Sequence, residues 1–260
     1  MDMEPAERNP AELRRTAFKL VAIMVVGAAV VLTAYSIKSK EKAEANKGRP
    51  PITSKISRNF AAKNQEDKLV ATYDLMGKVW FVLPICVDQL GENQHAWDMM
   101  KEIAAHYQGN DDLRFVAVSI EGVDQGVEPA DLKQAMQQLG IEDERWWFLT
   151  TGETGKQRGY IKDQLRLGLV SKRPHGDKAG KWKFPSQIAL IDRGMHIRQR
   201  YDFREAAQFE SDARDMLREK PELKDEERFQ PALNAVDELK KTLYANIDFV
   251  LNETKTGSQK

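Results

Sequence analysis

An apolar segment that ends at the only cysteine of the chain limits the fold more than any other feature. The run from Lys78 to Ile85 follows a Gly-Lys turn, is almost entirely aliphatic or aromatic, and leads directly into Cys86. Such a run predicts a buried β-strand. Residues 93–107 then place apolar side chains at helical spacing, beginning with Trp97. A strand that delivers a cysteine to the mouth of a helix predicts an α/β domain with the thiol at the junction.

The same alternation continues downstream and defines the core of the domain. Two further strands are predicted over 114–120 and 146–150, two helices over 128–139 and 156–165, and a hairpin from 187–191 to 196–203. Strands that alternate with helices imply a parallel sheet, to which the hairpin adds antiparallel edges. The charge-rich segment 204–230 is predicted to be a solvated helical insert. Residues 231–252 repeat apolar positions and predict a final core helix, followed by a frayed tail over 253–260.

An apolar stretch near the N-terminus predicts a membrane anchor. Residues 17–37 carry one charge, Lys19, and their length at 1.5 Å per residue suits a hydrocarbon core of about 30 Å. The stretch exceeds the 7–15 apolar residues of a signal peptide, so an uncleaved anchor is expected between a polar tail over 1–16 and a linker over 38–57. Basic residues flank the stretch on both sides and leave its orientation open.

The overall charge gives no reason to expect a nucleic-acid-binding protein, and the cysteine count excludes a disulfide-stabilised fold. Lys and Arg total 40, as do Asp and Glu, so the net charge is zero and no basic face for nucleic acid is expected. One cysteine excludes a disulfide within the chain.

Short sequence words, in this order, resemble the Sco/SenC family. They are Gly77-Lys78-Val79-Trp80, Val118-Ser119-Ile120, Trp147-Phe148-Leu149-Thr150, and Ser186 with Leu190-Ile191-Asp192. The resemblance implies a thioredoxin-like domain over 58–203, held by the anchor in the inner (plasma) membrane with its soluble part on the outer or periplasmic side. It also implies work on the copper site of cytochrome c oxidase, either as copper delivery or as thiol reduction.

The family's copper ligands are mostly missing from this chain. A Cys-x-x-x-Cys-Pro loop and a distant histidine supply two thiolates and an imidazole, a set that suits copper. Cys86 matches the first cysteine, but Leu90 stands at the second and Phe184 at the histidine. The resemblance therefore implies a degenerate site with no cofactor expected. Copper would need replacement ligands, for which His95 and His175 are the candidates.

The role of Cys86 stays open between two interpretations. It is either an inert apolar residue at an ancestral position, or a candidate catalytic thiolate activated by a helix N-terminus. Leu83-Pro84-Ile85 offers no threonine of the kind that peroxiredoxins place before their cysteine. Pro185 is expected to line a groove, as prolines opposite the cysteine do in thioredoxin-like folds.

Three functions follow from these patterns. The first is a non-enzymatic accessory or assembly protein that binds a subunit of the respiratory oxidase. The second is a one-cysteine thiol oxidoreductase or peroxidase. The third is a copper chaperone with replacement ligands that come from another side chain of the chain or from a partner.

Overall fold

The computed structural model describes residues 19, 20, 24, 32, 35, 38, 48–226 and 229–253, and the chain divides into two compact units, residues 1–49 and 50–260. In the first unit, the described residues between 19 and 38 are helical. The anchor predicted over 17–37 lies almost wholly outside the described residues. Within the part that is described, no helix combines the length and the apolar character needed to cross a membrane.

The second unit is built on a six-stranded sheet in the order β1-β10-β9-β4-β5-β6. Strands β4, β5 and β6 pair in parallel, whereas β9 runs antiparallel to β4, and β10 and β1 continue the antiparallel side. This is a thioredoxin-like α/β arrangement, with β4 central and flanked by one parallel and one antiparallel neighbour. The strands of the unit are β1 (Ser54–Lys55), β2 (Ala61–Lys63), β3 (Leu69–Ala71), β4 (Val79–Ile85), β5 (Leu113–Ser119), β6 (Trp146–Leu149), β7 (Ser171–Lys172), β8 (Trp182–Lys183), β9 (Ile188–Ile191) and β10 (His196–Tyr201).

Helices cover both faces of the sheet, because β4 is apolar on both sides. Successive side chains of a strand point to opposite faces. Phe81 and Leu83 face a core completed by α1, α2 and α6, and Trp80 and Val82 face a core completed by α3. The helices are α1 (Gln94–His106), α2 (Pro129–Gln138), α3 (Thr154–Asp163), α4 (Phe203–Glu219), α5 (Gln230–Leu233) and α6 (Ala235–Asn252).

Most of the long periodic elements agree with the sequence prediction to within one or two residues. The final core helix predicted over 231–252 is instead divided at Asn234 into α5 and α6, and the charged segment also differs from its prediction. Helix α4 occupies most of the predicted solvated insert, but Phe203 and Ala213 are buried and the helix packs against α6. Alanines at helical spacing give α4 an apolar stripe, which the sequence analysis missed because most other residues of the helix are charged. The linker predicted over 38–57 also ends too late, since β1 pairs with β10 and Ile56 is 1% exposed.

A side chain closes the edge of the sheet at β6. The Gln65 amide donates from Nε2 to the Trp146 carbonyl at 2.9 Å and accepts at Oε1 from the Phe148 N–H at 2.9 Å. These are the two bonds that a neighbouring strand would make. Because an open edge strand can pair with another chain, the amide satisfies groups that would otherwise be available for association.

Candidate functional site

Cys86 lies at the carboxyl end of β4 and is 2% exposed. The residue does not open an α-helix directly. A 3-10 helix over Val87–Asn93 follows it, with a non-helical residue at Gln89, and α1 begins only at Gln94. The aligned peptide dipoles that would favour a thiolate are therefore interrupted beside the sulfur. A backbone hydrogen bond from Asp88 in the 3-10 helix lowers the pKa of the thiol, but burial and the charge of Glu121 outweigh it.

Two polar side chains lie beside the thiol. The Sγ atom is 3.8 Å from Gln89 Oε1 and 3.7 Å from Glu121 Oε2. Burial raises the pKa of Cys86 to about 12, and the negative charge of Glu121 adds to the rise. The sulfur is thus a neutral thiol at physiological pH, hydrogen-bonded rather than nucleophilic.

Glu121 reaches the thiol because of the parallel pairing of β4 with β5. Ile85 pairs with Ser119, so the residues just beyond each strand lie at the same edge of the sheet. Glu121 is 4% exposed, and its Oε1 pairs with Lys181 Nζ at 2.9 Å. Sequence reasoning missed Glu121, although its position two residues past a strand parallel to the cysteine strand was a usable signal.

Trp182 joins the same edge from the β7–β8 hairpin. Its indole is 8% exposed. The Arg158 guanidinium carbon lies 4.0 Å from the ring centroid and Lys181 Nζ lies 4.9 Å from it. Both distances allow cation–π attraction. The Arg158 contact and the Lys181–Glu121 ion pair therefore hold the hairpin against the sheet edge that carries the thiol, whereas the Lys181 contact with the ring lies within the hairpin.

Leu90 and Phe184, at which the resemblance in sequence leads us to expect ligands, are packed against or within the core. Leu90 is half-buried against the cluster formed by α1, and Phe184 is 3% exposed within the cluster that contains Cys86. His95 and His175, the candidate replacements, are both exposed. Across residues 48–226 and 229–253, and the few described before them, no group of three or more His, Cys, Asp and Glu side chains could hold a metal ion.

Asn93 connects the segment after β4 to the segment before β9. Strand β9 pairs with β4 only as far as Val82, so Pro84, which lacks an N–H, interrupts no ladder on that side. Asn93 is 2% exposed, and its Nδ2 donates to the Pro84 and Pro185 carbonyls at 3.2 Å each. None of the described peptide bonds is cis, so the Phe184–Pro185 bond is trans.

This arrangement limits the chemistry that Cys86 can carry out in the folded domain. A protonated thiol beneath a hairpin can accept or donate weak hydrogen bonds, but it presents neither a thiolate nor a second soft donor. The site can take part in sulfur chemistry only after its surroundings change.

Comparison with known proteins gives matches among solved structures alone. No family model and no curated protein matches the chain. A SCO1/SenC family lipoprotein from Bacillus anthracis is 23% identical, with a TM-score of 0.48 over 58% of this chain and 86% of that one. BsSco, described as a member of the Sco family of cytochrome c oxidase assembly proteins, is 19% identical, with a TM-score of 0.48 over 59% and 86%. Copper-bound ScoI from Bradyrhizobium japonicum is 21% identical, with a TM-score of 0.40 over 56% and 88%.

Proposed function

We propose that this chain is a Sco-like accessory protein that supports assembly of the respiratory cytochrome c oxidase by binding one of its subunits. In this role it would be anchored to the membrane by residues 17–37 and would carry no copper in a complete site of its own. The protein would present a folded thioredoxin-like surface to its partner, and no step would pass through Cys86.

One observation supports this role above the others: the positions of the family's ligands are occupied by packing residues. Leu90 and Phe184 contribute to two different core clusters, so neither could be exchanged for a donor without a change in packing. A single neutral thiol holds copper poorly, because Cu(I) binding relies on soft thiolate ligands. The segments that resemble the Sco/SenC family therefore support a shared fold and surface, and not a shared metal site.

The thiol oxidoreductase alternative receives no support from the electrostatics of the site. A peroxidatic or disulfide-exchanging cysteine needs an appreciable thiolate fraction and an accessible sulfur. Cys86 has a pKa raised to about 12 and is 2% exposed.

A deletion and complementation experiment tests the proposal. The gene is removed from its own host, and oxidase activity and assembled oxidase are measured in membranes. Wild-type chain and Cys86→Ala should restore both equally, because the thiol has no part in partner binding. Ile247→Asp, which places a charge at a fully buried core position, should fail to restore them and shows that the folded domain is required. Loss of complementation in Cys86→Ala, with the variant present at normal levels, would refute the proposal in favour of thiol or copper chemistry.

Copper binding is tested separately on the full-length chain in detergent micelles. Titration with Cu(I) against a competing chelator should give no stoichiometric site. Tight binding of one Cu(I) that disappears in Cys86→Ala would instead establish the chaperone alternative. His95→Ala and His175→Ala would then show whether either histidine replaces the missing ligand.

A further inference from the structure

The β7–β8 hairpin, residues 171–183, is attached to the domain by few contacts of its own. Its two strands make only two residue pairs, Ser171 with Lys183 and Lys172 with Trp182. A hairpin of this size is not stable alone in water. Trp182 is buried, whereas the remaining residues are exposed or half-buried. Apart from the burial of Trp182 and its contact with Arg158, its position depends on polar contacts with the segment that follows Cys86 and with Glu121.

Gln89 makes the central contact between the hairpin and the thiol. Its Nε2 donates to the Ala179 carbonyl at 2.9 Å and to the Trp182 carbonyl at 3.0 Å, and its Oε1 accepts from the Trp182 N–H at 2.8 Å. A Cβ atom on Gly180 would lie 2.5 Å from Gln89 Cδ, so the backbone approaches the amide very closely. Because the same Oε1 lies 3.8 Å from Sγ, the Gln89 amide separates the sulfur from the hairpin.

Two ion pairs fasten the hairpin on either side of this amide. Lys181 Nζ lies 2.9 Å from Glu121 Oε1, beside the thiol. Arg173 Nη2 lies 2.6 Å from Glu92 Oε1 in the 3-10 helix, and Arg173 Nη1 donates to the Ala179 and Trp182 carbonyls. The Arg173–Glu92 pair makes no contact with Cys86, so it can be altered without touching the sulfur.

We propose that residues 171–183 form a lid that closes over Cys86 and that the thiol becomes accessible when the lid detaches without unfolding of the domain. In the closed state, the Gln89 amide lies beside the sulfur and is hydrogen-bonded to the hairpin, and Trp182 is buried in the cluster that contains Cys86. In the open state, the Gln89 amide loses three hydrogen bonds and the edge that carries Cys86 and Glu121 faces solvent. Regions held by few apolar contacts and exposed hydrogen bonds open at lower free energy than the core, as this geometry requires.

The rate of thiol modification in the full-length native chain tests the lid. Arg173→Ala should increase the rate of Cys86 alkylation by N-ethylmaleimide about tenfold or more at constant pH, equal to about 1.4 kcal/mol in the opening equilibrium. Arg218→Ala, which removes an exposed arginine from α4, is the matched control and should leave the rate unchanged. Equal rates in wild type, Arg173→Ala and Arg218→Ala would overturn the proposal.

Amide hydrogen exchange gives a second measurement that does not depend on the sulfur. The Trp182 N–H, which donates to Gln89, should exchange much faster than the amides of β4 and should be accelerated in Arg173→Ala. If the Trp182 amide is as protected as β4, the thiol is reached only by global unfolding and the lid does not exist.

Discussion

Removing the negative charge beside Cys86 should make the thiol more acidic by an amount set by the geometry of the site. Glu121 Oε2 lies 3.7 Å from Sγ. Two unit charges at that separation interact by about 4.5 kcal/mol at an effective dielectric constant of about 20, or roughly three pKa units. The whole rise, from 9.0 to about 12, is about three units and burial is its largest cause, so screening at this edge reduces the Glu121 share well below the Coulomb figure. We therefore expect Glu121→Gln to lower the pKa of Cys86 by about one unit. Burial, which is the larger cause of the shift, remains.

Alkylation kinetics measure this change without extreme pH. Between about pH 7 and 10 the thiolate fraction is small and grows tenfold per pH unit, so a pKa lower by one unit speeds iodoacetamide modification about tenfold throughout that range. Glu92→Gln is the reference for hairpin loosening, because it weakens the Arg173 ion pair, and so should speed alkylation, but places no change beside the sulfur. Glu121→Gln weakens the Lys181 ion pair as well as removing the charge, so its rate should exceed that of Glu92→Gln by about the tenfold electrostatic factor. An equal acceleration in both variants would show that loosening of the hairpin, not charge, controls the rate. An unchanged rate in Glu121→Gln would refute the electrostatic argument.

Three other changes have defined outcomes. The Arg198 side chain is 1% exposed and pairs with Asp192 and Glu253 at 3.0 Å each. Arg198→Met should therefore lower the free energy of unfolding, measured in urea, by about 3–5 kcal/mol. The control Arg200→Met, at an exposed position, should lower it far less. Gln65→Ala should lose about 1–2 kcal/mol and show self-association in sedimentation velocity; a monomeric variant of unchanged stability would contradict the edge argument. Because the pKa of Cys86 is raised on folding, its contribution to stability is complete below the unfolded pKa of about 9 and declines above it. The unfolding free energy should therefore fall by about 1.5 kcal/mol more between about pH 9 and 10.5 in wild type than in Cys86→Ala.

The sequence predicts the large elements of this fold because their periodicity is strong. The β4 run, the apolar stripe of α1 and the repeat that ends at Leu251 each extend over at least two turns or six residues. Strands of two or three residues, such as β1 and β7, carry no periodicity and arise from tertiary contacts. In α4 the apolar stripe consists mainly of alanines, which composition alone does not distinguish from a solvated face.

The candidate site could be predicted only at the positions fixed by β4. Cys86 follows directly from the end of that strand, whereas the assignment of Leu90 and Phe184 to missing ligand positions stays a prediction from the resemblance. Gln89 and Lys181 are residue types common on surfaces. They contact the hairpin and the site only in the folded chain, because Gln89 and the β7–β8 hairpin are about 90 residues apart in sequence. The pKa of Cys86 is raised mainly by burial and then by the charge of Glu121, neither of which the position of the cysteine before a helix reveals, so that position alone predicted the opposite sign.

The placement of α6 has a consequence for biosynthesis. Leu243, Ile247 and Val250 complete the apolar face on which Phe81 and Leu83 lie, although α6 is translated more than 150 residues after β4. A nascent polypeptide on the ribosome therefore exposes that face until α6 has emerged, and during this interval it is a substrate for chaperones and prone to misassembly. Variants that weaken α6 should reduce the yield of mature protein more than their equilibrium stability indicates.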